Sequence, residues 1–382
     1  MEYRTLGNTG LSVSAIALGC EGFVGKTEEQ TCAEMDFAIS KGINFIDMYA
    51  SNPDLRSNIG KALVGRRQQF IIQGHLCATW ENDQYLRTRD VEKTIASFED
   101  QLTRLHTDYL DIGMIHYVDS EEDFHEVFNG PIIRLALRLK EEGKIRHIGL
   151  SSHNPIVAKL AVESGLIEVL MFSINPCYDL QPPSENVDDL WADESYAHSL
   201  ENIDPEREKL YELCEQKGIG LDVMKAYGGG DLLSETNSPF GKAMTPVQCI
   251  EYALTRPAVT SVMVGCKSCD EMQAAINWCN ATKEEKDYTP VMAGMEKFSW
   301  QGHCMYCGHC APCSVGIDIA SVNKYYNLTI AQNEIPETVR EHYKTLSHHA
   351  SECIQCGQCE TNCPFGVAII EQMEKAAEKF GY

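Results

Sequence analysis

The chain has 382 residues, a formal net charge of -24 at pH 7 and 17 cysteines. The acidic balance argues against nucleic acid and against an anionic membrane surface as partners, because both need a basic footprint. Neither a membrane span nor a secretory signal is expected, since no apolar run approaches ~18 residues and the first residues lack a basic, apolar leader. We therefore expect a cytoplasmic protein with reduced thiols, in which so many cysteines indicate metal binding.

Up to about residue 280, short apolar runs alternate with helix-like segments, such as residues 27–41, 90–105, 131–142 and 206–217. A glycine follows three of these segments just before a strand, as expected at helix ends. Eight strand–helix units predict a closed parallel (β/α)8 TIM barrel. An open doubly wound sheet is the main competitor, and the lack of G-x-G-x-x-G after the first strand counts against it. The predicted strands are Ser14–Leu18, Asn44–Asp47, Phe70–Ile72, Tyr109–His116, His147–Ser151, Val169–Ile174, Gly220–Lys225 and Thr260–Val264.

A long polar loop runs from about Asp179 to Asp204, after the sixth predicted strand. Its position predicts that it covers the carboxyl-end mouth of the barrel, where barrel active sites lie; a plain surface loop is the alternative. Around Lys283–Pro290 the composition indicates a charged linker. We therefore divide the chain into a barrel over residues 1–285 and a small, mainly helical domain over residues 286–382, with helical patterns near Ile319–Tyr326 and Glu337–Ser347.

Two tight cysteine runs lie in this second region, and the later one reads C-x2-C-x2-C-x3-C-P, the bacterial spacing for cubane iron–sulfur clusters. A pair of zinc sites is the alternative, but a third and fourth cysteine so close together, repeated twice, favours iron–sulfur. The region resembles the helical type of two-cluster ferredoxin module, in which the fourth cysteine of each run serves the other cluster. One [4Fe-4S] cluster is then assigned to Cys304, Cys307, Cys310 and Cys363, and the other to Cys353, Cys356, Cys359 and Cys313.

The first 280 residues or so also resemble a known family. The phrases YRTLGNTGLSVSAIALG, GINFIDMY, HTDYLDIGMIH, GKIRHIGLSS and GIGLDVMKAYGGGDL, in this order, look like the aldo-keto reductases. With the cysteine-rich tail, the whole chain resembles the ferredoxin-bearing branch of that family. The resemblance implies a (β/α)8 barrel that binds NADP or NAD without a Rossmann fold and reduces carbonyls with an Asp, Tyr, Lys and His constellation.

The family's catalytic residues carry over only in part. Asp47 and His116 match the family Asp and His, but His75 stands where the Lys is expected and Asn52 where the Tyr is expected. Tyr49 is two residues after Asp47 and could lean into the same space. A Tyr donates a proton well only if a nearby cation lowers its pKa, so the proton donor is open between Tyr49, His75 and His116.

The resemblance also implies cofactor-binding positions, although Met171 and Gln273 replace residues that often contribute. Lys267 and Ser268 resemble the contact to the adenosine 2′-phosphate, which favours NADP over NAD weakly. A plain loop is the alternative for the glycine triplet after the seventh strand. The predicted cofactor-binding residues are Ser151, Ser152, Asn175, Lys225, Gly229, Gly265, Lys267, Ser268 and Asn277.

Three functions follow from this combination. The first is a cytoplasmic iron–sulfur oxidoreductase of an anaerobe, which links NAD(P) and a small carbonyl or alcohol to an external one-electron carrier such as a ferredoxin or flavoprotein. A hydride carries two electrons and a cubane passes one, so a flavin is commonly needed between them, and no flavin motif is recognisable. The second is a redox-neutral acid–base enzyme for elimination or isomerisation, using Asp47, His75 and His116. The third is an electron carrier on a catalytically retired barrel.

Overall fold

Eight parallel strands close into a barrel in the computed structural model, which describes residues 1–82, 84–190, 195, 200–293, 298–299, 302, 304–330, 335 and 337–382. The strands are hydrogen-bonded in chain order, and the eighth returns to pair with the first. The barrel prediction is therefore confirmed. Barrel strands 1 to 8 are Ile16–Gly19, Phe45–Met48, Ile71–Leu76, Leu110–Ile115, Ile145–Ser152, Val169–Ser173, Gly220–Met224 and Val259–Gly265.

The helices begin and end where the local sequence dictates. Thr27 and Thr245 each accept a hydrogen bond from a backbone N–H in the first turn and form a capping box with a Gln. Gly42, Gly143 and Gly218 lie at positive φ after helix ends, as the sequence predicts. The α-helices are Glu28–Ser40, Pro53–Ala62, Val91–Arg104, Glu121–Asn129, Pro131–Glu141, Pro155–Glu163, Pro205–Lys217, Pro246–Leu254, Cys269–Ile276, Lys283–Lys286, Thr289–Met292, Ile319–Ile330, Glu337–Lys344, Gln358–Asn362 and Ile369–Phe380.

Short elements decorate this frame. An antiparallel hairpin pairs Ala78–Glu81 with Gln84–Arg87 directly after barrel strand 3. A second hairpin at the start of the chain pairs Tyr3–Thr5 with Ser12–Ser14, and Leu200–Glu201 pairs with Phe298–Ser299. The 3-10 helices are Gly7–Thr9, Cys20–Phe23, Arg67–Gln69, Tyr178–Leu180, Val187–Leu190, Gly228–Leu233, Asn277–Asn280 and Ala350–Glu352.

The loop after barrel strand 6 is anchored at its start rather than lying free over the mouth. Asp179 is fully buried and accepts hydrogen bonds from the hydroxyls of Tyr211 and Tyr252, on two outer helices. Further along, the carboxylate of Glu185 accepts a hydrogen bond from the N–H of Glu121, at the mouth side of the barrel. Residues 191–194 and 196–199 of this loop lie outside the described part of the chain.

The expected charged linker at residues 283–290 is wrong. These residues form two short helical turns that pack on the barrel. Tyr288 is buried, and the carbonyl of Asp287 accepts a hydrogen bond from the side chain of Gln248 at 2.6 Å. The run of charged residues suggested a solvent-exposed linker, but the Lys286 ammonium pairs with Glu251 and lies over the ring of Trp278 on the barrel surface.

The cysteine-rich region packs against the end of the barrel where strands 7 and 8 begin. Arg256, three residues before strand 8, donates to the carbonyl of Met305 at 2.6 Å. Gln216, just before strand 7, donates to the carbonyl of Leu328 at 3.1 Å. Residues that precede a parallel strand lie at the face opposite the barrel mouth, so the cysteine-rich region contacts that opposite face through Met305 and Leu328.

None of the described helices is long and apolar enough to span a bilayer.

Candidate active site and cysteine clusters

Four side chains form one hydrogen-bonded chain at the barrel mouth. His75 Nε2 lies 2.8 Å from Asp47 Oδ1, and His75 Nδ1 lies 2.7 Å from His116 Nδ1. His116 Nε2 lies 2.5 Å from the hydroxyl of Tyr85. We call Asp47, His75, His116 and Tyr85 the relay. Strands 2, 3 and 4 place the first three members side by side, because neighbouring parallel strands end at the same edge.

Tyr85 is the member that sequence reasoning missed. It lies in the hairpin after strand 3, opposite Trp80, and its side chain is the only partly exposed member of the relay. The hairpin is fixed to the barrel by the Ser51 hydroxyl, which donates to the carbonyl of Thr79 at 2.6 Å. The available signal was weak: Asn82 and Asp83 are turn-favouring residues between two short segments with strand-forming residues, but the pair lacks the glycine of the common hairpin turns. Asn82 adopts positive φ.

Tyr49 lies beside the relay but is not bonded into it. Its ring stacks on His116 at 5.9 Å between centroids and meets Tyr85 edge-on at 6.2 Å. Burial, and then the hydrogen bond and negative charge of Glu21, raise the pKa of Tyr49 far above its usual value. Asn52, at the family's Tyr position, is the N-cap of helix Pro53–Ala62.

The geometry assigns consistent proton positions to the relay. As a carboxylate, Asp47 only accepts, so His75 carries a proton on Nε2 and accepts on Nδ1. His116 then donates from Nδ1 and accepts the Tyr85 hydroxyl proton on Nε2. Burial, and then the charges of His75, Arg89, His153 and Arg87, hold the pKa of His116 well below its usual value, which keeps this ring neutral. Burial raises the pKa of Tyr85 to about 12, which keeps its hydroxyl protonated.

A second carboxyl lies beneath the relay inside the barrel. The Gln73 side-chain N–H donates to Asp47 Oδ1 at 3.1 Å and to Asp222 Oδ1 at 3.4 Å. Burial, and then the charge of Asp47, raise the pKa of Asp222 well above its usual value. Within the described ranges, Asp222 Oδ2 and Gln73 Oε1 have no hydrogen-bond partner. A protonated Asp222 avoids placing a second buried negative charge next to Asp47.

Arg89 holds the end of strand 4 in place. It donates to the carbonyls of His116 and Tyr117 at 2.9 and 2.8 Å and pairs with the carboxylate of Asp123. Tyr117 sits at positive φ, a conformation that a non-glycine residue adopts only when its surroundings fix it. Arg89 therefore fixes the backbone that aims His116 at Tyr85.

The residues predicted to bind the nicotinamide amide mostly make hydrogen bonds to other groups of the protein. The Ser152 hydroxyl donates to Asp119 at 2.9 Å. The Asn175 amide donates to the carbonyl of Lys225 and accepts from two backbone N–H groups, and its side chain is fully buried. Ser151 accepts from the N–H of Tyr117 at 2.9 Å, and its hydroxyl also lies 3.5 Å from His116 Nδ1. Of these three predicted residues, Ser151 is the least engaged by other groups of the protein.

The predicted dinucleotide positions at strands 7 and 8 are more open. A Cβ added at Gly229 or at the exposed Gly265 would meet nothing within 4 Å, which leaves room for a ligand to approach the backbone. Burial lowers the pKa of Lys225. Asn277 accepts a hydrogen bond from the Gln273 side chain.

The carboxylate of Glu271 lies at the predicted phosphate contact of Lys267 and Ser268. The Lys267 N–H donates to the carboxylate of Glu271 at 2.7 Å. Ser268 is the N-cap of helix Cys269–Ile276, and its hydroxyl oxygen accepts from the N–H of Glu271. A phosphate at this position would meet the Glu271 charge, whereas a ribose hydroxyl could donate to it.

The eight clustered cysteines line two separate cavities. Each cavity takes three cysteines from one run and the fourth from the other run. Four thiolates of this kind fit a cubane cluster, whose ligands are cysteine thiolates. One cavity is lined by Cys304, Cys307, Cys310 and Cys363, and the other by Cys313, Cys353, Cys356 and Cys359.

The barrel, its mouth constellation and the paired cysteine cavities define a barrel oxidoreductase with an iron–sulfur module. The model for the aldo/keto reductase family matches residues 15–248, and the model for the 4Fe-4S dicluster domain matches residues 300–367. The chain belongs to the aldo/keto reductase family.

Relatives and solved structures agree with this assignment. An uncharacterised oxidoreductase, YqkF of Bacillus subtilis, is 28% identical over 75% of this chain and 94% of its own length. L-galactose dehydrogenase of Arabidopsis thaliana is 26% identical over 72% and 86%. The structure of aldo-keto reductase AKR11C1 from Bacillus halodurans, in its holo form, matches with a TM-score of 0.58 at 24% identity, covering 75% of this chain and 94% of that one. At this identity the structural likeness supports the fold.

Proposed function

We propose that this protein interconverts a small alcohol and its carbonyl, that the relay moves the proton, and that two [4Fe-4S] clusters exchange single electrons with an external carrier. The observation that carries the proposal is the unbroken hydrogen-bonded path from the partly exposed Tyr85 hydroxyl to the buried Asp47 carboxylate. It gives the mouth a proton donor and acceptor although the family's Lys and Tyr are replaced.

In the direction of alcohol oxidation, the relay takes up one proton. The substrate hydroxyl gives its proton to the Tyr85 oxygen while Tyr85 passes its own to His116 Nε2. His116 then releases its Nδ1 proton to His75 Nδ1. The relay ends with His75 as an imidazolium beside the Asp47 carboxylate, where the positive charge is stabilised.

In the direction of carbonyl reduction, the same steps run backwards. The protonated relay has His75 donating to His116 and His116 donating to the Tyr85 oxygen, so the Tyr85 hydroxyl is free to donate to the carbonyl oxygen. The two states differ by one proton, and His116 is neutral in both. Reduction should therefore fall, and oxidation rise, as pH increases through the transition of the relay.

The nicotinamide cofactor, which supplies or accepts the hydride when bound, would be held by Ser151, Lys225 and the backbone at Gly229 and Gly265. We propose NAD rather than NADP, because Glu271 places a carboxylate on the Lys267 N–H, where the family contact to the 2′-phosphate would fall. Ser268 and Asn277 would contact the adenosine portion. Ser152 and Asn175 are left out, since their polar groups are committed to Asp119 and Lys225.

A redox-neutral acid–base enzyme is the second candidate. It is favoured by the commitment of Ser152 and Asn175, and by a relay that needs no redox cofactor to move a proton. Elimination or isomerisation of a carbonyl compound would use the same Tyr85, His116 and His75.

The deciding experiment uses anaerobically purified protein with its iron and sulfide content measured. NADH consumption would be followed with a panel of aldehydes, ketones and 2-oxo acids, and binding of NADH and NADPH by intrinsic fluorescence. Turnover of NADH with one carbonyl class supports the oxidoreductase. Neither binding nor turnover, together with conversion of a panel member without change of oxidation state, would instead establish the acid–base enzyme.

A further inference from the structure

A buried guanidinium lies next to the first cysteine run. Arg256 is 1% exposed. One terminal nitrogen donates to the carbonyl of Met305 at 2.6 Å and to the Thr255 hydroxyl at 3.0 Å. Over the described part of the chain, Nε and the other terminal nitrogen have no hydrogen-bond partner. A guanidinium stays charged in a protein, and a buried charge without a partner is costly.

The nearby carboxyl groups do not supply the missing hydrogen bonds, although Asp179 and Glu208 both lie within electrostatic range of Arg256. The Asp179 carboxylate is engaged by Tyr211, Tyr252 and Arg207. Aromatic faces lie against the guanidinium instead, with the Tyr252 ring at 4.6 Å and the Tyr306 ring at 5.4 Å. Such contacts favour a cation but leave its N–H groups unsatisfied.

The cysteines supply the opposite charge. Met305, whose carbonyl Arg256 holds, directly follows Cys304 and lines the same cavity as Cys304, Cys307, Cys310 and Cys363. Four thiolates around a cubane carry more negative charge than the iron core offsets, and reduction adds one more. The other cavity is different, because Cys356 and Ile354 in its lining are exposed to water.

We propose that Arg256 is the buried counter-charge of the barrel-side cluster, held by Cys304, Cys307, Cys310 and Cys363, and raises the reduction potential of that cluster. Net charge, hydrogen bonds to sulfur and solvent exposure set cluster potentials. Burial alone disfavours the extra electron, and a fixed cation next to the cluster offsets this. The exposed cluster is screened by water and gains little from Arg256, so an electron that enters there is drawn towards the barrel.

The test is a redox titration of the anaerobic full-length protein, followed by electron paramagnetic resonance, for wild type, Arg256→Gln and Arg256→Lys. In Arg256→Gln, one of the two cluster potentials should fall by at least about 59 mV, a tenfold change in the equilibrium constant of a one-electron couple. The other potential should not move. Arg256→Lys keeps the charge and should stay close to wild type.

Unchanged potentials in Arg256→Gln, or an equal fall in Arg256→Lys, would overturn the proposal. If Arg256→Gln loses the iron of one cluster while Arg256→Lys keeps it, the charge is needed to hold the cluster, which supports the proposal. If both variants lose the iron of one cluster, Arg256 acts by anchoring Met305 and the proposal is overturned. The inference rests on the proposed clusters, and these fail separately if the wild-type protein holds far fewer than about eight irons.

Discussion

Tyr85→Phe removes one hydroxyl and keeps the ring. The lost hydrogen bond joins Tyr85 to His116 at 2.5 Å and is the outer end of the relay. General acid–base catalysis contributes about 10²–10⁴-fold, or about 2.7–5.4 kcal/mol of barrier at 1.36 kcal/mol per factor of ten. We expect kcat to fall by that factor with little change in KM, and the free energy of unfolding to fall by only about 1 kcal/mol.

The assay compares steady-state kinetics of Tyr85→Phe, Tyr49→Phe and wild type on the carbonyl that gives the best turnover. Tyr49→Phe is the matched control, because its ring stacks on the same His116 while its hydroxyl lies outside the relay. We expect a loss of less than about tenfold for Tyr49→Phe. Near wild-type activity in Tyr85→Phe, together with an inactive Tyr49→Phe, would refute the relay and return the donor role to Tyr49.

Three further substitutions test the same account. In His75→Lys the ammonium can only donate, so His116 must accept on Nδ1 and donate to the Tyr85 oxygen. We therefore expect carbonyl reduction to persist to higher pH and the rate of alcohol oxidation to fall at least about tenfold. Equal effects on both directions would contradict this. Asp222→Asn replaces a carboxyl whose folded-state pKa is raised, by burial first and then by the charge of Asp47, so the wild-type protein loses folding stability as pH rises above the unfolded-state pKa of an Asp near ~3.9. The Asn variant should therefore have a higher Tm than wild type at pH 7 and a Tm that changes less between about pH 4 and 8. A lower Tm of the variant at every pH would argue against a protonated Asp222. Glu271→Gln removes the negative charge at the Lys267 N–H, so NADPH should bind about tenfold tighter in a fluorescence titration while the affinity for NADH stays unchanged. Asp270→Asn, in the same helical turn, is the control. Equal gains in NADPH affinity in both variants would show a general charge effect instead.

The barrel was predictable because its signals are repeated. Eight apolar runs alternate with helical patterns, and glycines such as Gly42 and Gly143 mark the helix ends at positive φ. Asp47 and His116 were predictable for the same reason, since both lie at the carboxyl ends of strands that the pattern locates. Both lie next to His75 because strands 2, 3 and 4 are neighbours in the barrel.

Tyr85 was not predictable from this pattern, because it belongs to a short hairpin that a barrel does not require. Its hydroxyl reaches His116 only through a tertiary arrangement of strand 3 and the hairpin. The commitment of Ser152 and Asn175 was likewise hidden, since the partners Asp119 and Lys225 are distant in sequence. The residues 283–290 were misjudged because a charge run says nothing about a buried Tyr288.

The site and the cysteine cavities lie at opposite ends of the barrel. The relay is at the carboxyl ends of the strands, whereas the cysteine-rich region contacts Arg256 and Gln216, which precede strands 8 and 7. Strand 8 alone has seven residues, which corresponds to roughly 20 Å at about 3.3 Å per residue. We therefore expect proton chemistry at one end and electron exchange at the other, so substitutions in the relay should leave the cluster potentials unchanged.

The most direct test of the relay is the proton position on each ring nitrogen of His75 and His116, measured by long-range ¹⁵N–¹H NMR of histidine-labelled protein across pH. The account predicts that at high pH His75 carries its proton on Nε2 and His116 on Nδ1. In the form of the relay that holds one added proton, His116 should stay neutral, because burial holds its pKa low, and should carry its proton on Nε2. Two rings that titrate independently, or a His116 that becomes doubly protonated before His75, would contradict it.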